Sequence, residues 1–274
     1  MIRFEIYRNF FSRITSYQIT KRQRFVLMAI FLTVTLLTTQ TVGESVRYQA
    51  MSFLAIATIF LSIFALSGEL SGIKYFLLLC LPIYFVVGSS LFYFLLPVRW
   101  LTRLPFALAF GISVYLLMLT SNIYNVAAIR TIALVRAANA VGLLFSLVAT
   151  FFLTNVLFSL HLPFYLIAVG VGAIVFPLYL VGLWSYELED FISRKILVYA
   201  LIFTLVSVQI GMVLAFWPIA PINGALSIST IMYALLGLAQ FDFQNRLKGK
   251  VILEHLAVAL TVSIVILIST RWGG

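Results

Sequence analysis

The sequence predicts an all-α, polytopic integral membrane protein of about nine transmembrane helices, with its N-terminus cytoplasmic and its C-terminus outside, preceded by an amphipathic interfacial helix. Three observations carry this. Hydrophobic residues make up 63% of the 274-residue chain and charged residues only 9%, a composition that water-soluble domains do not tolerate. Apolar runs of a length that crosses a bilayer recur to the end of the chain. All 18 Lys and Arg and all 8 Asp and Glu fall between these runs or at their ends, never near the middle of one.

Residues 1–24 are the one substantial segment outside the apolar runs. On a helix of 100° per residue, Ile2, Phe4, Ile6, Tyr7, Phe10, Phe11, Ile14 and Tyr17 share one arc, while Glu5, Arg8, Asn9, Ser12, Thr15 and Ser16 share the other. That separation suits a helix lying in the membrane interface. Arg3 and Arg13 break it, and both are long enough to reach head groups. Residues 25–274 then form a single transmembrane helical domain with short loops. Its predicted spans are 25–42, 48–66, 75–96, 105–120, 140–159, 163–184, 196–217, 225–241 and 252–270. The first is read as an uncleaved helix: the basic region before it is too long for a usual signal peptide, and the run is long enough to span.

Cytoplasmic loops carry the excess of Lys and Arg. With the N-terminus inside, alternate connections hold 14 basic residues on the cytoplasmic side and 4 on the other. A missed or extra span would swap the sides of every later loop, so this ratio supports nine crossings. The net charge of +10 is gathered beside the spans, where anionic lipid head groups, rather than nucleic acid, are the nearer partner. The single cysteine, Cys80, lies inside an apolar run and excludes an internal disulfide.

Few residues invite chemistry. Residues 121–142 form an Ala-rich stretch of mixed polarity; on one continuous helix Ser121, Asn122, Asn125, Arg136 and Asn139 would share a face, with Arg130 elsewhere. Asn122, Asn125, Arg136 and Asn139 are therefore a candidate site for an anionic head group, since guanidinium binds phosphate bidentately and an amide both donates and accepts. A second candidate polar cluster joins Glu187 and Asp190, which share a helix face, with Glu254 and His255 at the start of the last span. Gln209 is the one long amide near the middle of a span and is expected to form an interhelical hydrogen bond within the bundle. Gly170, Gly172 and Pro177 could open the sixth span around a substrate, with Pro82 and Gly88 as a loose counterpart in the third.

No nucleotide-binding glycine loop, paired-histidine metal motif or serine nucleophile elbow occurs, so no catalytic, cofactor-binding or metal residue is assigned and no cofactor is expected. Paired Asp-rich motifs of the membrane prenyltransferase kind are also missing. The chain reads as a membrane-embedded structural or accessory component more than as an enzyme, and its partners are the bilayer's anionic head groups and other membrane subunits. The alternatives are an uncoupled transporter of a small or lipid-like substrate, or an enzyme binding an anionic lipid head group at the cytoplasmic face. Coupled transport is disfavoured because no charged side chain lies near the middle of a span.

Overall fold

The computed structural model describes residues 20–39, 44–66, 73–97, 99–127, 134–189 and 191–270. The predicted interfacial helix therefore lies outside the described residues, apart from its last five positions. Nine helices and no strand are found among the described residues: α1 Lys21–Thr38, α2 Glu44–Ala65, α3 Lys74–Leu95, α4 Trp100–Ala127, α5 Val135–Ser159, α6 Phe164–Glu187, α7 Arg194–Ala215, α8 Pro221–Phe243 and α9 Gly249–Ser269. Seven, α3 to α9, are long and apolar enough to cross a membrane. The protein is a polytopic helical membrane protein. In α1 the cations Lys21, Arg22 and Arg24 occupy the first turn, after a capping box in which Thr20 and Gln23 each satisfy the other's backbone amide. In α2 the apolar portion is confined to Gln49–Ala65.

Consecutive helices run antiparallel. Contacts at their ends fix this: Arg24 over Phe64 joins the start of α1 to the end of α2, Phe164 against Phe216 the start of α6 to the end of α7, and Asn223 to Ser269 the start of α8 to the end of α9. The bundle thus has a basic end, where α1, α3, α5, α7 and α9 begin, and an opposite end.

The helices form two consecutive groups of four that repeat one packing order, although the contact of α3 with α5 across the groups is more extensive than most contacts within them. α1 packs on α2 and α4, α2 on α3, and α3 on α4; in the same order α5 packs on α6 and α8, α6 on α7, and α7 on α8. Because each group holds an even number of crossings, both begin at the basic end. They meet where α3 and α4 contact α5 and where α3 contacts α6. Glycines permit the close approaches: a Cβ on Gly224 would lie 2.9 Å from the Phe158 ring, and one on Gly111 would lie 2.6 Å from the Thr33 hydroxyl.

Two prolines lie deep in these helices without breaking them. Pro82 leaves the Leu78 carbonyl of α3 without its usual i+4 amide, and the Ser121 hydroxyl of α4 donates to that carbonyl at 3.2 Å. Pro177 does the same to the Ala173 carbonyl of α6, and the Tyr84 hydroxyl of α3 donates to it at 3.0 Å. The opened helix expected around Gly170, Gly172 and Pro177 is not seen. The lost backbone bond is replaced from a neighbouring helix, and Gly170 and Gly172 are used for packing against Leu157 and Val208.

α9 stands apart. Ile266 is its one buried side chain among the described residues, and it rests mainly on α8 with a groove on either flank. The groove toward α5 has a volume of about 490 Å³, and the groove toward α7 about 330 Å³.

Candidate functional site

The two groups of four helices meet around a small polar pocket toward the basic end. α4 contributes Tyr124 near its end, α5 contributes Asn139 near its start and Ser146 near its middle, and α6 contributes Ser185 and Tyr186 near its end; Leu81 of α3 and Leu236 of α8 close the sides. Gly142 makes room for the Tyr124 phenol, because any β-carbon there would collide with the hydroxyl. That hydroxyl donates to the Ala138 carbonyl at 2.9 Å, while Ser146 donates to the Gly142 carbonyl at 2.9 Å and Ser185 to the Gly182 carbonyl at 2.7 Å. With these protons committed to main-chain carbonyls, the three hydroxyls offer mainly lone pairs to the pocket. The Asn139 Oδ1 is buried there without a hydrogen-bond partner among the described residues. The space enclosed is about 10 Å³, room for no more than one water-sized group.

Of the predicted site residues, Asn139 alone lines this pocket among the described residues. Residues 121–142 are not one helix among the described residues: α4 ends at Ala127 and α5 begins at Val135, with Arg130 outside the described residues. Asn125 is buried, Asn122 half-buried and Arg136 exposed, so of the four only Asn139 lines the pocket. Asp190 lies outside the described residues. Glu187 is half-buried with one carboxylate oxygen, Oε2, enclosed and without a hydrogen-bond partner among the described residues; Glu254 is exposed.

His255 makes no hydrogen bond to any of them among the described residues. Its Nδ1 lies 2.9 Å from the Val251 carbonyl, which can only accept, so Nδ1 carries the proton. The ring stacks on Tyr233 at 5.3 Å, meets Phe241 edge-on at 6.1 Å, and lays Nε2 over Gly237, where a β-carbon would collide with it. This histidine seats α9 on α8.

A second polar assembly at the basic end involves a residue that the sequence did not single out. Asp242, at the end of α8, accepts from Lys195 at 3.1 Å and from the Tyr199 hydroxyl at 3.1 Å, both on α7. The Lys195 ammonium also sits 4.2 Å above the Phe243 ring. Both partners of the ion pair are partly exposed, so it ties two helix ends together rather than forming a buried charge site. Among the described residues no three of His, Cys, Asp and Glu gather where they could hold a metal ion.

Tyr124, Ser185 and Tyr186 were missed by sequence reasoning because a hydroxyl in an apolar run carries no distinctive spacing. Comparison of the chain with protein-family models, with curated proteins and with solved structures returns no match.

Proposed function

We propose that this protein is a membrane-embedded structural or accessory component that works through contacts of its helix surfaces with lipid and with another membrane subunit. One observation carries the reading. The interior polar groups of the bundle enclose about 10 Å³, too little for a substrate, while α9 leaves almost its whole apolar circumference outward. Leu253, Leu260, Ile264 and Ile268 are each more than half exposed on that helix.

The lipid-modifying alternative needs Asn122, Asn125, Arg136, Glu187 and Asp190, with Glu254 and His255, to converge on one cavity, and none of those among the described residues lines the polar pocket. The transport alternative has one observation in its favour. Two four-helix groups that start at the same end and meet around a polar pocket have the layout of carriers built from parallel repeats. A prokaryotic cytoplasmic membrane, with the basic end inside and residues 1–24 lying along its surface, is the setting this reading assigns; the 14 to 4 division of basic residues supports the orientation.

Photo-crosslinking side chains placed at Leu253, Leu260 and Ile264 in native membranes test the reading. A discrete protein adduct of constant mass is expected from one face of α9. Lipid adducts alone, together with solute flux through reconstituted protein, would overturn it.

A further inference from the structure

We infer that the protein forms a parallel, two-fold symmetric homodimer through the outer face of α7, centred on Gln209. The buried face of α7 is Ile196, Ala200, Phe203, Ser207, Gly211 and Leu214. Gln209 lies away from that face, is exposed, and makes no hydrogen bond among the described residues. The interhelical bond expected of it within the chain is therefore absent: helical periodicity turns it outward. It lies two to three residues from the centre of the predicted span 196–217, about 4 Å from the middle of the membrane at 1.5 Å per residue.

Three outward-facing hydroxyls on other spans bond their own helices: Thr35 donates to the Phe31 carbonyl at 2.9 Å, and Thr261 and Ser263 donate to Ala257 and Ala259, each at 2.8 Å. The Gln209 amide has no such bond, and hydrocarbon offers it no partner. A primary amide both donates and accepts, so its best-matched partner is another primary amide. A two-fold axis along the membrane normal supplies one, bringing Gln209 of each copy together at the same depth.

The residues around Gln209 are spaced for such a contact. Val198, Ile202, Leu205, Gln209, Met212 and Phe216 follow one another at intervals of four, three, four, three and four, the repeat of a left-handed coiled-coil seam. Val198, Ile202 and Leu205 are 44%, 53% and 60% exposed, so this part of the seam lies open among the described residues; Met212 is half-buried, and Phe216, 72% exposed, also meets the Phe164 ring of α6. Ile202, Gln209 and Phe216 fall at one core position, and Val198, Leu205 and Met212 at the other. Ile202 at the first position and Leu205 at the second are the residue types of two-stranded coils, and a single polar residue at the first position fixes register. This dimer is independent of the accessory role, since it needs no other subunit.

The test uses the full chain in liposomes at graded protein-to-lipid ratios, with association read by energy transfer between labelled copies. Gln209→Leu should weaken dimerisation by about tenfold, the scale of one interhelical polar contact, and Gln209→Asn should restore part of the loss. In a Cys80→Ser background, Leu205→Cys should give an oxidised dimer while Ile264→Cys on α9 should not. Because Gln209 is exposed, Gln209→Leu leaves the fold intact, which helical content and a monodisperse elution profile verify. Monomers at all densities, a dimer indifferent to Gln209→Leu, or crosslinking from Ile264→Cys but not Leu205→Cys would each overturn the inference.

Discussion

Replacing Tyr84 by Phe should destabilise the protein only because Pro177 is where it is. The imino nitrogen of Pro177 cannot bond the Ala173 carbonyl, and the Tyr84 hydroxyl at 3.0 Å is the donor that replaces it. In Tyr84→Phe that carbonyl loses its donor in a region with little water. Interhelical hydrogen bonds in membranes average about 0.6 kcal/mol and reach about 1.7, and the upper part of that range applies because an acceptor is orphaned. Pro177→Ala restores an amide that bonds Ala173 along the helix, so Tyr84→Phe on that background should cost under about 0.5 kcal/mol, giving a coupling near 1 kcal/mol. Ser121→Ala with Pro82→Ala should repeat the pattern at the Leu78 carbonyl. Reversible unfolding in mixed micelles, followed by helical content across the four proteins of each cycle, measures it. Equal costs of Tyr84→Phe with and without Pro177 would refute the proposed repair.

Further outcomes follow from the same geometry. Ser207→Ala should cost more than Tyr179→Phe: the two hydroxyls lie 2.8 Å apart and Ser207 also donates to the Phe203 carbonyl, so removing the serine strands the buried phenol proton at a cost of about 1–3 kcal/mol; thermal unfolding of both variants decides. Gly237→Val should displace the His255 ring and loosen α9 from α8, read as faster proteolysis of the segment 244–248 with the rest of the bundle retained. Asp242→Asn should lower stability by less than about 1 kcal/mol, and by less still at high salt, because Lys195 and Asp242 are partly exposed. Arg136→Ala should leave stability within about 0.5 kcal/mol, as an exposed side chain without an ion pair among the described residues requires.

The helices were legible in the sequence where hydropathy alone decides. The run 163–184 became Phe164–Glu187 and 252–270 became Gly249–Ser269. The run 105–120 grew into the 28-residue α4 because Ser121 and Asn125, polar in sequence, are buried against other helices and extend the helix beyond its apolar stretch. Which face of a helix turns inward was less legible. The spans are apolar nearly all round, so Gln209 could be placed at its depth but not on its outward face. The pocket was half visible: Asn139 stood out as an amide near a span boundary, whereas Tyr124 gains its role only from Gly142, a residue 18 positions away on another helix. The proline repairs were hidden for the same reason, since Ser121 and Tyr84 meet Leu78 and Ala173 only after the helices pack.

Whether the protein acts through its surfaces or through an interior route is tested most directly at Ser146, a buried wall of the polar pocket. In a Cys80→Ser background, Ser146→Cys is challenged with a water-soluble thiol reagent from each side of the membrane, with Arg136→Cys as the exposed control at the basic end. The account predicts rapid reaction of Arg136→Cys from one side and none of Ser146→Cys from either. Reaction of Ser146→Cys from one or both sides would mean that an aqueous path reaches the pocket, contradicting a sealed bundle and favouring transport.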